Sequence, residues 1–260
     1  MNIFKSGTKP LMLSMALLLV ALATGCKGGR DPILGGEGNG GSGNATLPPI
    51  VGTATLGTAA TYGIMATSAI TNTGAGTMIN GDVSLDPGTS NGLLPIQVNG
   101  TIHINDSFSA KARFDLLSAY NYYKNLPPGT TITGGADLGG LYPLGIPSGT
   151  YTSGSTMLIS TPLILDAGGN ANAIWVFQIG SSITTTANVS LANGAQAKNV
   201  FWVPTLDATV GVGSIFYGTI VTGRDATCKT GTVINGRILA GATLAGTIAL
   251  DTSTVNVPAP

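Results

Sequence analysis

The side chains that most often carry out chemistry are scarce in this 260-residue chain. It has one histidine, His103, and one glutamate, Glu37. A Ser-His-Asp nucleophile set, or a metal site built on imidazole, would have to use His103 or go without. His103 sits in Thr101-Ile102-His103-Ile104, a place where a lone histidine usually makes a structural hydrogen bond. Asp137, Asp166, Asp207, Asp225 and Asp251 are scattered, whereas a polysaccharide-cleaving site needs clustered acids and bases. Only Asp207 and Asp225 recur at an equivalent place, in two Asp-Ala-Thr segments. Aspartates at turns cap backbone amides, and that role is expected for both. No Gly loop lies between a strand and a helix to hold phosphate, and no Cys/His spacing suits a metal. No catalytic residue, metal ligand or cofactor is assigned.

The elements that would position any site are short and repeated. Gly76-Thr77-Met78-Ile79-Asn80-Gly81-Asp82-Val83 and Gly231-Thr232-Val233-Ile234-Asn235-Gly236-Arg237-Ile238 share five of eight positions. Looser copies occur at Val98-Asn99-Gly100 and Phe216-Tyr217-Gly218, and the glycines return every 18 or 19 residues. Between them run short alternating segments: Val200 to Val203, Ile215 to Val221, Val233 to Leu239 and Thr247 to Leu250. A period near 18 made of short strands is the pattern of a β-solenoid, whose coils stack because none can bury its inner face alone. A sandwich with regular strands would put turns every 8–12 residues or so and would not return one motif at this period.

One stretch differs. Asn105 to Asn125 lacks Gly and Pro, and Phe108, Ala112, Leu116, Ala119 and Tyr123 form a helical stripe. Asn105 or Asp106 caps its start, and Pro127 stops it. A helix over about 106–125 spans roughly 30 Å, close to the length of six or seven coils at about 4.8 Å each. It is expected to lie along one solenoid face with its stripe toward the core. The fold class is therefore all-β dominated: a β-solenoid with one long helix packed alongside.

Alternation then assigns directions. With Ile183, Val210, Cys228, Ile248, Leu250, Ile70 and Asn72 pointing in, Ser182, Thr184, Thr186, Thr209, Thr227, Thr247, Ala249, Thr71 and Thr73 point out. Stacked coils would bring Thr184, Thr209, Thr227 and Thr247 into one column on a flat face of methyls and hydroxyls. Lys229 interrupts that face. Threonine is also simply a good strand former. A one-residue slip of register would invert the two sides.

Composition agrees with a packed, weakly charged solenoid. Charged residues are 8% against a usual share of about 25%. There are 39 glycines, 43% of residues are hydrophobic, and the formal net charge is zero. A zero net charge excludes the electrostatic footprint of a nucleic-acid binder. The hydrophobic content excludes charge-driven disorder.

The N-terminus reads as an address. Lys5 and Lys9 precede the apolar run Leu11 to Ala23, too short to span a bilayer but suited to a signal-peptide core. Ala23-Thr24-Gly25-Cys26 resembles a bacterial lipobox. That resemblance implies residues 1–25 as a lipoprotein signal peptide and Cys26 as the lipidated residue. Residues 26–49 form a Gly-rich tether, and the domain occupies 50–260. The expected location is the cell surface or exterior, in the outer membrane if the host is Gram-negative. With Cys26 lipidated, Cys228 has no partner for a disulfide.

The order of motifs within the domain carries a further resemblance. Ile70-Thr71-Asn72-Thr73-Gly74, Ile79-Asn80-Gly81-Asp82-Val83 and Gly100-Thr101-Ile102-His103-Ile104-Asn105-Asp106 open it. Pro147-Ser148-Gly149-Thr150-Tyr151, Trp175-Val176-Phe177-Gln178-Ile179-Gly180 and Asn199-Val200-Phe201-Trp202 continue it, and Leu250-Asp251-Thr252 closes it. Together they resemble the microbial ice-binding proteins with a discontinuous β-solenoid. The resemblance implies a right-handed, roughly triangular solenoid in which N-terminal strands stack on C-terminal ones. It implies adsorption to an ice crystal surface by one flat face, with no enzyme activity, metal or cofactor. A monomer is expected, meeting the membrane only through its lipid and binding no nucleic acid. A surface adhesin or structural solenoid that binds polysaccharide or protein is the other reading. It would require Tyr142, Tyr151, Phe216 and Tyr217 to cluster outward.

Overall fold

Ile215–Val221 and Val233–Leu239 pair in parallel along their whole length, Ile215 opposite Val233 and Val221 opposite Leu239. The 18-residue offset between partners is one coil. The computed structural model describes residues 52–259; the expected leader, tether and Cys26 lie outside the described residues. Every strand pairing is parallel. The strands form sheets of twelve, eight and three; the twelve-stranded one branches at Val233–Leu239, whose start pairs with Thr254–Asn256 and whose end pairs with Tyr62–Ala66, so it turns a corner of the β-solenoid.

The stack is discontinuous. Thr254–Asn256 lies between Val233–Leu239 and Met78–Asn80, and Ala69–Asn72 pairs with Thr247–Leu250. The two copies of the eight-residue motif thus occupy the same coil position, separated by one strand. Their asparagines explain part of the motif: Asn80 Nδ2 donates to Asn256 Oδ1 (2.7 Å), and Asn256 Nδ2 donates to Asn235 Oδ1 (3.1 Å). The glycine explains another part. A Cβ on Gly236 would lie 1.8 Å from the carbonyl oxygen of Gly218 in the next coil.

The inside is apolar and aromatic. Phe177 stacks on Trp202 with centroids 3.9 Å apart, and Tyr151 stacks on Phe177. Trp202 Nε1 donates to the carbonyl of Tyr217 (3.0 Å), so the ring is buried with its polar atom satisfied.

Where the helix covers the twelve-stranded sheet its strands are buried on both faces, which is why Val200–Pro204 reads as a nearly unbroken apolar run. Trp202, Ile220 and Ile238 point to the inside. Phe201, Val203, Val221 and Leu239 point the other way, onto the long helix. That helix spans Ser107–Lys124. Asp106 caps it, accepting from Ser109 N–H (2.8 Å), while its own N–H donates to Ser109 Oγ (2.9 Å). Ala112, Leu116, Ala119 and Tyr123 are buried as the periodicity requires. Phe108 is a correction: it is 65% exposed, and the buried first-turn residue is Ser109. Phe108 packs instead on the His103 ring, centroids 5.0 Å apart.

Candidate functional site

The eight-stranded sheet is a side that the helix leaves uncovered. Its strand order is Ser90–Asn91, Ala69–Asn72, Thr247–Leu250, Ala226–Cys228, Ala208–Val210, Ile183–Thr185, Met157–Ile159, Ala136–Asp137. Alternation within it follows the sequence reading. Ile70, Ile248, Cys228, Val210 and Ile183 are buried. Thr71 and Thr184 are exposed, while Thr227, Thr209 and Ala249 are half-buried by the flat packing of neighbours.

Register fixes the central column. Thr184 stands opposite Thr209, Thr209 opposite Thr227, Thr227 opposite Ala249, and Ala249 opposite Thr71. This corrects the place of Thr247, which was expected in the column. Thr247 pairs with Ala69 on one side and follows Asp225 on the other, one row away. The reason is the turn through Gly241–Gly246, which makes this coil longer than its predecessor, so a fixed step from Thr227 falls short. The column also continues to Leu158, opposite Thr184, and ends at Asp137. Met157-Leu158-Ile159 is apolar throughout, so no alternation marked Leu158 as outward.

The two flanking rows are mixed. Toward the strand starts lie Ser182, Asp207, Asp225 and Thr247. Asp225 Oδ1 accepts from Thr247 N–H (2.7 Å), and Asp207 Oδ1 accepts from Asp225 N–H (3.3 Å), the amide-capping role expected of them. Arg224 donates from Nε to Asp207 Oδ1 (2.7 Å) and from Nη2 to Asp207 Oδ2 (2.5 Å). This two-pronged contact holds the Asp207 carboxyl below its ordinary range. Toward the strand ends lie Thr186, Gly211, Lys229, Asp251 and Thr73. Asp251 accepts from the hydroxyls of Thr230 and Thr252. Where Ala249 replaces threonine, a shallow depression of about 260 Å³ opens beside Thr71, Thr227 and Lys229. Ser182, Thr184, Thr186, Thr209, Thr227, Thr247, Ala249, Thr71 and Thr73 therefore share one side of the solenoid, in three rows.

No catalytic geometry competes with this face among the described residues. His103 Nδ1 lies 2.8 Å from Asp106 Oδ2, at the helix cap, where it is a structural partner. No group of three His, Cys, Asp or Glu side chains among the described residues could hold a metal ion. Cys228 is fully buried under the threonine face, which pushes its thiol up to about 12. Tyr151 and Phe216 are buried and pack in the aromatic core, and Tyr142 meets Tyr151 edge-on. The outward aromatic cluster required for glycan binding is not formed by these residues.

The sequence profile of the family described as Ice-binding-like matches residues 64–256. The chain belongs to this family. An ice-binding protein of Nostoc sp. is 39% identical over 168 residues, covering 64% of this chain and 61% of the relative. An ice-binding protein of Flavobacterium frigoris is 30% identical over 183 residues, covering 64% of each. The chain thus spans less than two thirds of the length of these relatives. Among solved structures, an ice-binding protein from an Antarctic biological consortium superposes with a TM-score of 0.71 at 37% identity. That match covers 77% of this chain and 89% of the other. The ice-binding protein of the Antarctic ascomycete Antarctomyces psychrotrophicus follows at 0.70 and 30%, covering 79% and 98%. The two solved structures share the mostly β fold of this chain.

Proposed function

We propose that this member of the Ice-binding-like family adsorbs to ice through the eight-stranded sheet and so obstructs crystal growth and recrystallisation. The observation that carries the reading is the uncharged stretch of the central column, Thr71, Ala249, Thr227, Thr209 and Thr184, on a side that the helix leaves uncovered. Columns repeat at about 4.8 Å along the axis, and rows are about 6.7 Å apart along the strands. A rigid lattice of methyls and hydroxyls at such spacings orders a layer of water that a crystal front can incorporate. Many weak matched contacts then hold the protein at the front. Rigidity comes from parallel strands tied on both edges and from inward residues that leave no slack.

The chemistry asked of the protein is adsorption alone, so the reading needs no acid, base or metal. The second part of the proposal concerns place. The leader and the lipobox-like Ala23-Thr24-Gly25-Cys26 support a lipid-anchored domain on a Gly-rich tether at the cell surface, acting as a monomer.

The test is growth of a single ice crystal in a solution of the purified protein. Faceted or arrested growth is expected for the native chain, and its loss for Thr209→Tyr and Thr227→Tyr. Both side chains point outward, so the substitutions are expected to change stability by no more than about 0.5 kcal/mol. Unaltered shaping by both variants would remove this face from the account.

A further inference from the structure

The charges on the threonine face are unequal in one respect. Asp207 is matched by Arg224. Asp225 accepts a backbone N–H and lies 3.5 Å from Arg224 Nε. Asp251 is held by the Thr230 and Thr252 hydroxyls. Asp137, at the far end, accepts from the N–H groups of Ser160 and Thr161. Each of these side chains therefore stabilises a turn. Lys229 does not. Its side chain is exposed and makes no hydrogen bond or ion pair with any described residue. Only its backbone is used, the N–H donating to the carbonyl of Val210 (2.9 Å).

Its position is central rather than peripheral. Lys229 follows Cys228 in the strand that stacks between Ala208–Val210 and Thr247–Leu250. Its neighbours along the row are Gly211, which has no side chain, and Asp251, which is turned to the hydroxyls. An ammonium is a compact, strongly hydrated charge, and stripping its water without a counter-charge is unfavourable. Water oriented by that charge cannot also take the orientations of a crystal layer.

We infer that Lys229 sets the strength of adsorption on this face. Its unpaired ammonium keeps the strand-end row, next to Thr227, from adding to the ice-matched central column. Without that charge, Thr186, Gly211 and position 229 would extend the matched area into that row as far as Asp251. The inference rests on the proposed role of the face, and it adds a residue that limits the activity rather than producing it.

The test separates charge from bulk and separates this inference from the reading beneath it. Lys229→Thr, Lys229→Met and Lys229→Arg are compared with the native protein by the freezing-point gap at equal concentration and by thermal melting. The inference expects about a twofold larger gap for Lys229→Thr and Lys229→Met, with no gain for Lys229→Arg, because only the first two remove the cost of stripping water from a charge at the ice contact. Melting is expected to be unchanged, since the ammonium has no partner to lose. Gaps equal to the native one for Lys229→Thr and Lys229→Met overturn the inference. So does an equal gain for Lys229→Arg, which would assign the effect to shape. Thr209→Tyr is added to the native and the Lys229→Thr proteins. Loss of activity in both, with no gain from Lys229→Thr alone, rejects the inference and keeps the face. Retained activity in both rejects the face and the inference together.

Discussion

Leu116→Ala separates what holds the solenoid from what meets the crystal. Leu116 is fully buried in a cluster with Leu56, Ala112, Ala119, Met65 and Phe201, between the helix and the outer side of the twelve-stranded sheet. Truncating a fully buried leucine costs about 2–5 kcal/mol, from lost burial plus the cavity left behind. The cluster is made of long strands and a capped helix that cannot easily close the gap, so about 3 kcal/mol is expected. For a domain of this size each kcal/mol moves the midpoint by about 2–4 °C, so Tm falls by about 6–12 °C. The eight-stranded sheet bears none of these residues, and its central column is fixed by backbone register. At 0 °C, far below either midpoint, the variant is expected to shape ice like the native protein. Calorimetry gives the first number, and crystal growth at matched concentration gives the second. A Leu116→Ala protein that is folded at 0 °C yet no longer shapes ice would move the contact to the helix side and refute the reasoning.

Two further outcomes follow from buried and capped groups. The Cys228 thiol, pushed up to about 12 by burial, is expected to resist an alkylating reagent at pH 8 until the chain unfolds; peptide mapping that finds Cys228 modified at the native rate of a free thiol would contradict its inward place. Asp106 is held at about 2, against 3.8 unperturbed, by the Ser109 N–H and then by His103. A carboxyl lowered in the folded state stabilises above its unfolded pKa and loses that contribution as pH falls through the folded one. Tm is therefore expected to fall between about pH 4 and pH 2, and Asp106→Asn, which still caps, is expected to flatten part of that slope. An unchanged slope in Asp106→Asn would show that other carboxylates carry the acid response.

Most of the architecture was legible because a solenoid writes its coil into the chain. Ile215–Val221, Val233–Leu239 and Thr247–Leu250 have the limits that alternation assigned, and Val200–Pro204 extends one residue beyond its own. Stacking of N-terminal on C-terminal coils came from the resemblance, and it explains why the two copies of the motif lie so far apart in the chain. Thr184, Thr209 and Thr227 fell into one column because each is the outward residue between two buried ones of a three-residue strand, although the coils joining them differ in length. Thr247 did not, because period alone is blind to a longer turn. Phe108 was placed in the core by its spacing, yet it packs on the edge of the fold against the His103 ring, and the small Ser109 takes the buried place at the cap. Lys124 lies at the edge of the stripe and is half-buried; its Nζ donates to the Ile179 carbonyl (3.1 Å) and to Thr205 Oγ1 (3.0 Å), a contact no periodicity encodes.

The central claim is that a flat, uncharged column adsorbs to the crystal. Its most direct measurement is the partition of the purified, unlabelled protein, followed by its tryptophan fluorescence, into a slowly advancing ice front, beside a protein of similar size that ice excludes. Adsorption predicts enrichment of this protein in the ice fraction and its loss in Thr209→Tyr. Exclusion of the native, folded protein from the ice to the same extent as the control would contradict the account.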